Sequence, residues 1–174
     1  ANSGIVGGSG AVNIATGVTT SGDSGDVILS TGVAIGGRGG AVSISVGLGD
    51  SGTGGEIILK SGDSTDSTGG RIALISGKNS LTSSGSLLLQ TANSGLLGVS
   101  GVIAMSTGVS SNGDSGSIDI GTGDASNGRG GAINVSVGKG NSGSGGLISI
   151  NAGSTSDATG GGVSITTGYS TSSS

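Results

Sequence analysis

The sequence of 174 residues contains no Pro, Cys, His, Trp or Phe, and only one Tyr and one Met. Without His and Cys it lacks the commonest general base, the thiol nucleophile and the usual transition-metal ligands, and it cannot form a disulfide. The scarcity of aromatic side chains leaves little to fill an ordinary globular core. The absence of Pro, together with the absence of a strict Gly-X-Y period, excludes a collagen triple helix.

Charge is also scarce. Charged residues make up 9% of the chain and the net charge is −4, while the mean hydropathy is +0.22. This composition is the reverse of the polar, highly charged signature of disordered chains. The acidic balance and the lack of Lys/Arg clusters argue against nucleic acid as a partner. No apolar run approaches the roughly 18 residues of a membrane span, so we expect no membrane insertion.

Glycine is abundant, with 43 copies, and the chain is built on a 15-residue repeat. A short aliphatic stretch recurs eleven times, as in AVNIATG, DVILSTG and AVSISVG, with one step of 16 residues; ten copies are closed by Gly and one by Ala92. A second Gly precedes each aliphatic stretch at a fixed phase, beginning with Gly10 and Gly25. We expect glycine at these two phases where the backbone needs positive φ or close approach.

A longer period of 91 residues is superimposed on the short one. Ala1-Asn2-Ser3-Gly4 returns as Ala92-Asn93-Ser94-Gly95, and Gly37-Arg38-Gly39-Gly40 returns as Gly128-Arg129-Gly130-Gly131. The sequence therefore predicts one continuous domain, 1–174, made of a super-repeat, 1–91, and a partial super-repeat, 92–174. The truncated second copy predicts that the chain is a window onto a longer array.

Within each repeat, aliphatic residues alternate with other residues, which is typical of a strand with two faces. The second and fourth positions of each stretch, here called the aliphatic pairs, are expected to face inward. They are Val12/Ile14, Val27/Leu29, Val42/Ile44, Ile57/Leu59, Ile72/Leu74, Leu87/Leu89, Ile103/Met105, Ile118/Ile120, Ile133/Val135, Ile148/Ile150 and Val163/Ile165. Stacking them in ladders predicts an all-β fold, a single-stranded β-solenoid (β-helix) of about eleven coils with a thin cross-section and unspecified handedness.

Some aliphatic residues fall on the outward positions or in the loops. Ile28, Ile58, Ile75 and Leu88 are candidates for lateral contact with like chains, or else scattered exposed residues of no consequence. Leu96 and Leu97 occupy the repeat that carries one extra residue. We expect a bulged loop there that presents Leu96 or Leu97 outward, although a harmless insertion in a tolerant turn is an equal alternative.

The segments GDSGDVILSTG, GGRGGAVSISVG and GDSGTGGEIILKSGD resemble the Gly/Ser/Thr-rich β-solenoid repeat surface and fibre proteins of diatoms and related algae. They are similar, more loosely, to the repeat regions of extracellular adhesins. The resemblance covers the whole chain and implies a secreted or cell-surface structural protein. It carries over no functional residue.

Residue chemistry offers few alternatives. Asp63 and Asp66 are the nearest pair of carboxylates for glycoside chemistry, but a turn-forming Asp cluster explains them as well. Asp23 and Asp114 share a repeat phase that Asp50 does not share, so stacked calcium ligands are not expected. We predict no catalytic residue, no metal, no cofactor and no enzyme activity.

Two functions remain. We expect a non-catalytic structural segment of an extracellular fibre, cell-surface or adhesive protein, associating end to end or laterally with like chains and with other fibre or matrix components. Ice binding is the alternative, because Thr residues such as Thr16, Thr31 and Thr107 share one phase. No second Thr column accompanies them. Asn134-Val135-Ser136 forms one glycosylation sequon at an outward position.

Overall fold

The computed structural model describes residues 9–169, and within them the chain forms neither helix nor strand. Irregular segments alternate with bends from one end of this range to the other. The prediction of an all-β solenoid, or β-helix, of eleven coils is therefore wrong. What the sequence repeat produces instead is a series of local loops, each closed or nearly closed at its base.

The missing hydrogen bonds explain the absence of strands. A solenoid needs backbone bonds between residues one repeat apart, whereas three bonds between glycines eight residues apart are the backbone bonds made in the described range. They are Gly70 N–H to Gly62 O, Gly85 N–H to Gly77 O and Gly161 N–H to Gly153 O, each 2.9 Å. Ordering a glycine-rich backbone costs more conformational entropy than ordering any other. Burial of two aliphatic side chains per repeat would offset too little of this entropy cost.

The buried core that the inward-facing aliphatic pairs were expected to form is likewise absent from the described residues. No residue of 9–169 is buried, and the aliphatic pairs stay about half or more exposed. The accessible surface of the chain is 17514 Å². A folded monomer of this mass exposes about 7,300 Å², and its fully unfolded chain about 23,000 Å². Most of the apolar surface that folding usually buries therefore remains in contact with water.

The predicted alternation along each stretch does persist in weaker form. In the repeat around residue 58, Ile57 is 54% exposed, Ile58 75% and Leu59 66%. The stretch Leu87–Leu89 has the same order, with its middle residue the most exposed. The aliphatic pair of a repeat is thus partly covered on one side, while the residue between its members faces water.

The chain divides into two units, Ala1–Leu87 and Leu88–Ser174. Bends in the first unit recur at 20–22, 35–37, 50–53, 65–67 and 80–82. The second unit has a turn at 96–97 and bends at 111–113, 126–128, 141–144 and 156–158. Each bend lies midway between two aliphatic stretches, so the 15-residue sequence repeat is also a repeat of local conformation.

The 91-residue period also recurs in the backbone. Gly22 and Gly113 have φ of 98° and 109°, and Gly52 and Gly143 have φ of 76° and 75°. Gly36, with φ 73°, corresponds to Asn127, whose φ of 60° makes it the one non-glycine residue of the described range in the left-handed region. Asn tolerates this region better than most residues, because its short polar side chain can bond locally.

Other bends are held by side chains that accept backbone hydrogen bonds. Asn79 Oδ1 accepts bonds from the N–H groups of Leu81 and Thr82 at 2.7 and 2.8 Å. Ser64 Oγ accepts from Ser67 N at 3.0 Å, and the equivalent Thr155 Oγ1 accepts from Asp157 N at 3.3 Å. These are the turn-forming bonds that Asn, Ser and Thr make to nearby backbone groups.

Candidate functional site

The recurring structural feature of this chain is a neck at the base of each loop. At a neck, the residue before the closing Gly, or before Ala92 in one repeat, approaches the glycine that precedes the next aliphatic stretch. The ten necks join Thr16 to Gly25, Thr31 to Gly40, Val46 to Gly55, Ser61 to Gly70, Ser76 to Gly85, Thr91 to Gly101, Thr107 to Gly116, Thr122 to Gly131, Val137 to Gly146 and Ala152 to Gly161. The sequence repeat thus places glycine where another chain segment comes close.

The necks fall into two classes, set by the size of the residue before the closing Gly. Where it is Ser61, Ser76 or Ala152, the backbone closes and the glycine N–H donates to the carbonyl eight residues back at 2.9 Å. Where it is Thr or Val, the described residues make no such bond, and the nearest atoms to the glycine belong to the side chain. A second heavy atom on Cβ stands between the two backbone segments.

The tightest approaches occur at the two Val necks. A Cβ placed on Gly55 would lie 2.7 Å from Val46 Cγ1, and one on Gly146 would lie 2.6 Å from Val137 Cγ1. Real Cβ atoms do not come this close to carbon, so only glycine fits without a shift. Val137 is 47% exposed and is among the most covered aliphatic residues of the chain.

The sequence predicts close approach or positive φ at the two fixed glycine phases, and the structure assigns these two roles to different glycines. The glycines that start each stretch serve close approach, whereas positive φ is found in the bends, outside both fixed phases. At closing glycines such as Gly17 and Gly32 an added Cβ would meet nothing within 4 Å. The exchange of Gly36 for Asn127 across one super-repeat is the sequence signal that identifies a left-handed position.

The predicted lateral-contact residues are all exposed. Leu96 and Leu97 share the turn at 96–97 and are fully exposed. Ile28, Ile58, Ile75 and Leu88 lie in four different repeats, each with its side chain largely in water. Their role as contacts stays a prediction.

The Thr column of the ice-binding alternative lies at the necks. Thr31 Oγ1 donates a long hydrogen bond of 3.4 Å to Gly40 O, and Thr122 Oγ1 does the same to Gly131 O. Those hydroxyls therefore point at their own loop. Asn134 of the sequon is exposed.

Charged side chains form one ion pair within the described part of the chain. Lys60 Nζ lies 2.7 Å from Asp63 Oδ2, and both side chains remain mostly exposed. Asp63 is thus paired with a cation three residues away, and Asp66 lies in the bend at 65–67. An exposed pair of this kind contributes little to stability.

Residues 9–169 enclose no cavity and hold no cluster of three or more Asp or Glu side chains. No helix in this range is long and apolar enough to cross a membrane.

Comparison of the chain with models of known protein families, with curated proteins and with solved structures gives no match.

Proposed function

We propose that this chain is a non-catalytic structural segment of an extracellular fibre, cell-surface or adhesive assembly, and that it acts by associating with like chains. The proposal depends on one observation: every repeat exposes about half or more of both members of its aliphatic pair, and the backbone beside them makes no backbone hydrogen bond in the described residues. Exposed apolar surface on this scale marks an interaction surface. A repeated surface favours a partner with the same repeat.

An extracellular setting is part of the proposal. Its support is the resemblance of the repeat to algal surface proteins and the exposed sequon at Asn134. Expression through a eukaryotic secretory pathway should give a glycosylated protein, and Asn134→Gln should remove the glycan. A secreted chain that carries no glycan at Asn134 would weaken this part.

The self-association is tested by sedimentation velocity and electron microscopy of the purified chain over a wide concentration range. We expect reversible, concentration-dependent assembly into elongated particles. The same samples should show no thermal hysteresis and no cleavage of polysaccharides. A chain that remains monomeric at high concentration and shapes ice crystals would favour the ice-binding alternative instead.

A further inference from the structure

The aliphatic pairs are the surface on which the proposed self-association depends, because both units carry them in every repeat. The residue between the two members of a pair is not aliphatic throughout: Ile28 and Ile58 in the first super-repeat correspond to Asp119 and Ser149 in the second. A contact that uses every repeat must therefore use the pairs. This narrows the partner surface to one side of each aliphatic stretch.

The area that the pairs leave uncovered is large enough for a stable contact. A fully buried aliphatic side chain removes on the order of 100 Å² from water. The eleven pairs comprise 22 residues whose exposures range from 48% to 89%, so the pairs of one chain together expose on the order of 1,000 Å². A specific interface of standard size needs about 800 Å² from each partner.

The backbone beside the pairs also needs a partner. In the described residues, the three backbone–backbone bonds are all at necks, so the peptide groups of the aliphatic stretches have no backbone partner there. Burying their side chains against another molecule would remove that water and leave the peptide groups unpaired unless the partner supplies donors and acceptors. A second extended chain supplies both, as it does when one chain adds to the open edge of another.

A second copy of this chain fits these requirements. It carries aliphatic pairs, and peptide groups without a backbone partner, at the same spacing of 15 residues with one step of 16, so that contact at one repeat favours contact at the neighbouring repeats of the same unit. The net charge of −4 on 174 residues sets up little repulsion between copies. We infer that the aliphatic pairs are a docking surface for a second copy, in register by whole repeats. This inference rests on the self-association proposed above.

Three matched substitutions test the surface in the full chain. Ile118, which is 49% exposed, belongs to an aliphatic pair. Ile28 lies between the two members of a pair, and Ile35, which is 99% exposed, lies in a bend. Each is changed to Asp, so the chemical change is the same. We expect Ile118→Asp to raise the concentration of half-assembly at least about tenfold, because an unpaired charge would be buried. Ile28→Asp and Ile35→Asp should change it by less than about twofold.

The outcomes distinguish failure of the proposed docking surface from failure of the proposed self-association. Equal effects of Ile118→Asp and Ile35→Asp, or a larger effect of Ile28→Asp, would overturn the docking surface while leaving self-association intact. A wild-type chain that is monomeric at every concentration would overturn both.

A second readout covers the case in which Ile118→Asp changes the conformation of the single chain. The protein has no Cys, so Ile118→Cys and Ile35→Cys each introduce a single thiol. On assembly, alkylation of the thiol at 118 should slow at least about tenfold, and that at 35 should be unchanged. If the thiol at 118 is already protected in the dilute monomer, the chain covers its own pairs and the inference is wrong.

Discussion

At the scale of single residues, the chain uses side-chain size and backbone handedness to shape its loops. Asn127 adopts φ 60° in the bend at 126–128, where the equivalent residue of the first super-repeat is Gly36. The neighbouring bend at 111–113 contains Asn112, which is not in the left-handed region. The two Asn residues therefore have different backbone requirements in similar surroundings.

This difference gives a prediction for Asn127. Asn127→Gly should keep the bend, whereas Asn127→Val should disfavour it by about 1–2 kcal/mol, because a β-branched residue with positive φ is strained. The coupling constant between the amide and α protons of residue 127, measured by NMR, reports φ directly. Asn112→Val is the control, and an equal loss of both bends would show that the effect is general.

At the scale of the element, each loop is a short closed unit whose neck depends on one side chain. Ser or Ala before the closing Gly accompanies a backbone hydrogen bond, and Thr or Val accompanies its absence. The bends inside the bonded loops are those held by Ser64, Asn79 and Thr155. In the described residues, the loops with a bonded neck are thus those in which a side chain accepts a backbone N–H bond in the bend, whereas in the open loop at 17–25 the hydroxyl of Thr19 donates to Gly22 O.

Substitutions at the necks show whether the neck residue or the side-chain cap of the bend controls the backbone bond. We expect Ala152→Val to remove the bond from Gly161 N to Gly153 O, and Thr122→Ala to create one from Gly131 N to Gly123 O. Amide exchange should speed up several-fold at Gly161 in the first variant and slow at Gly131 in the second. Thr155→Val, which removes the bend cap and keeps the neck residue, should leave the amide of Gly161 unchanged. If it does not, the cap rather than the neck residue controls closure.

At the scale of the whole molecule, the accessible surface of 17514 Å² determines the energetics. The isolated chain buries too little apolar area to offset the conformational entropy of ordering it. The self-association proposed above would add buried area, and the stability it supplies would depend on protein concentration.

Calorimetry tests this consequence. A folded domain of this length absorbs on the order of 120 kcal/mol at its midpoint. We expect the dilute monomer to show no cooperative transition of that size, and assembled samples to show one whose midpoint rises with concentration. A sharp transition that is independent of concentration would mean that the single chain has a core of its own.

Much of the local structure could be predicted from the sequence. The 15-residue spacing anticipates the spacing of bends and necks, the 91-residue period recurs in the φ values, and the alternation within each stretch recurs in the exposures. These features depend on interactions within about ten residues. The roles of Val137 and Ala152 at the necks were missed, because side-chain size at that phase has meaning only once the glycine nine residues on is known to approach it.

The sequence by itself determined the spacing of the bends and which aliphatic residues share a side, because short-range sterics and turn chemistry decide both; which of the two glycine phases is approached was visible only in the structure. Only the tertiary structure decided that, within residues 9–169, successive repeats do not pair into strands or bury the aliphatic pairs. Pairing between repeats gains hydrogen bonds and buried area from residues far apart in the chain, and it loses the conformational entropy of a glycine-rich backbone. A periodic sequence shows which residues could pair, but it does not show whether the free energy of pairing is favourable.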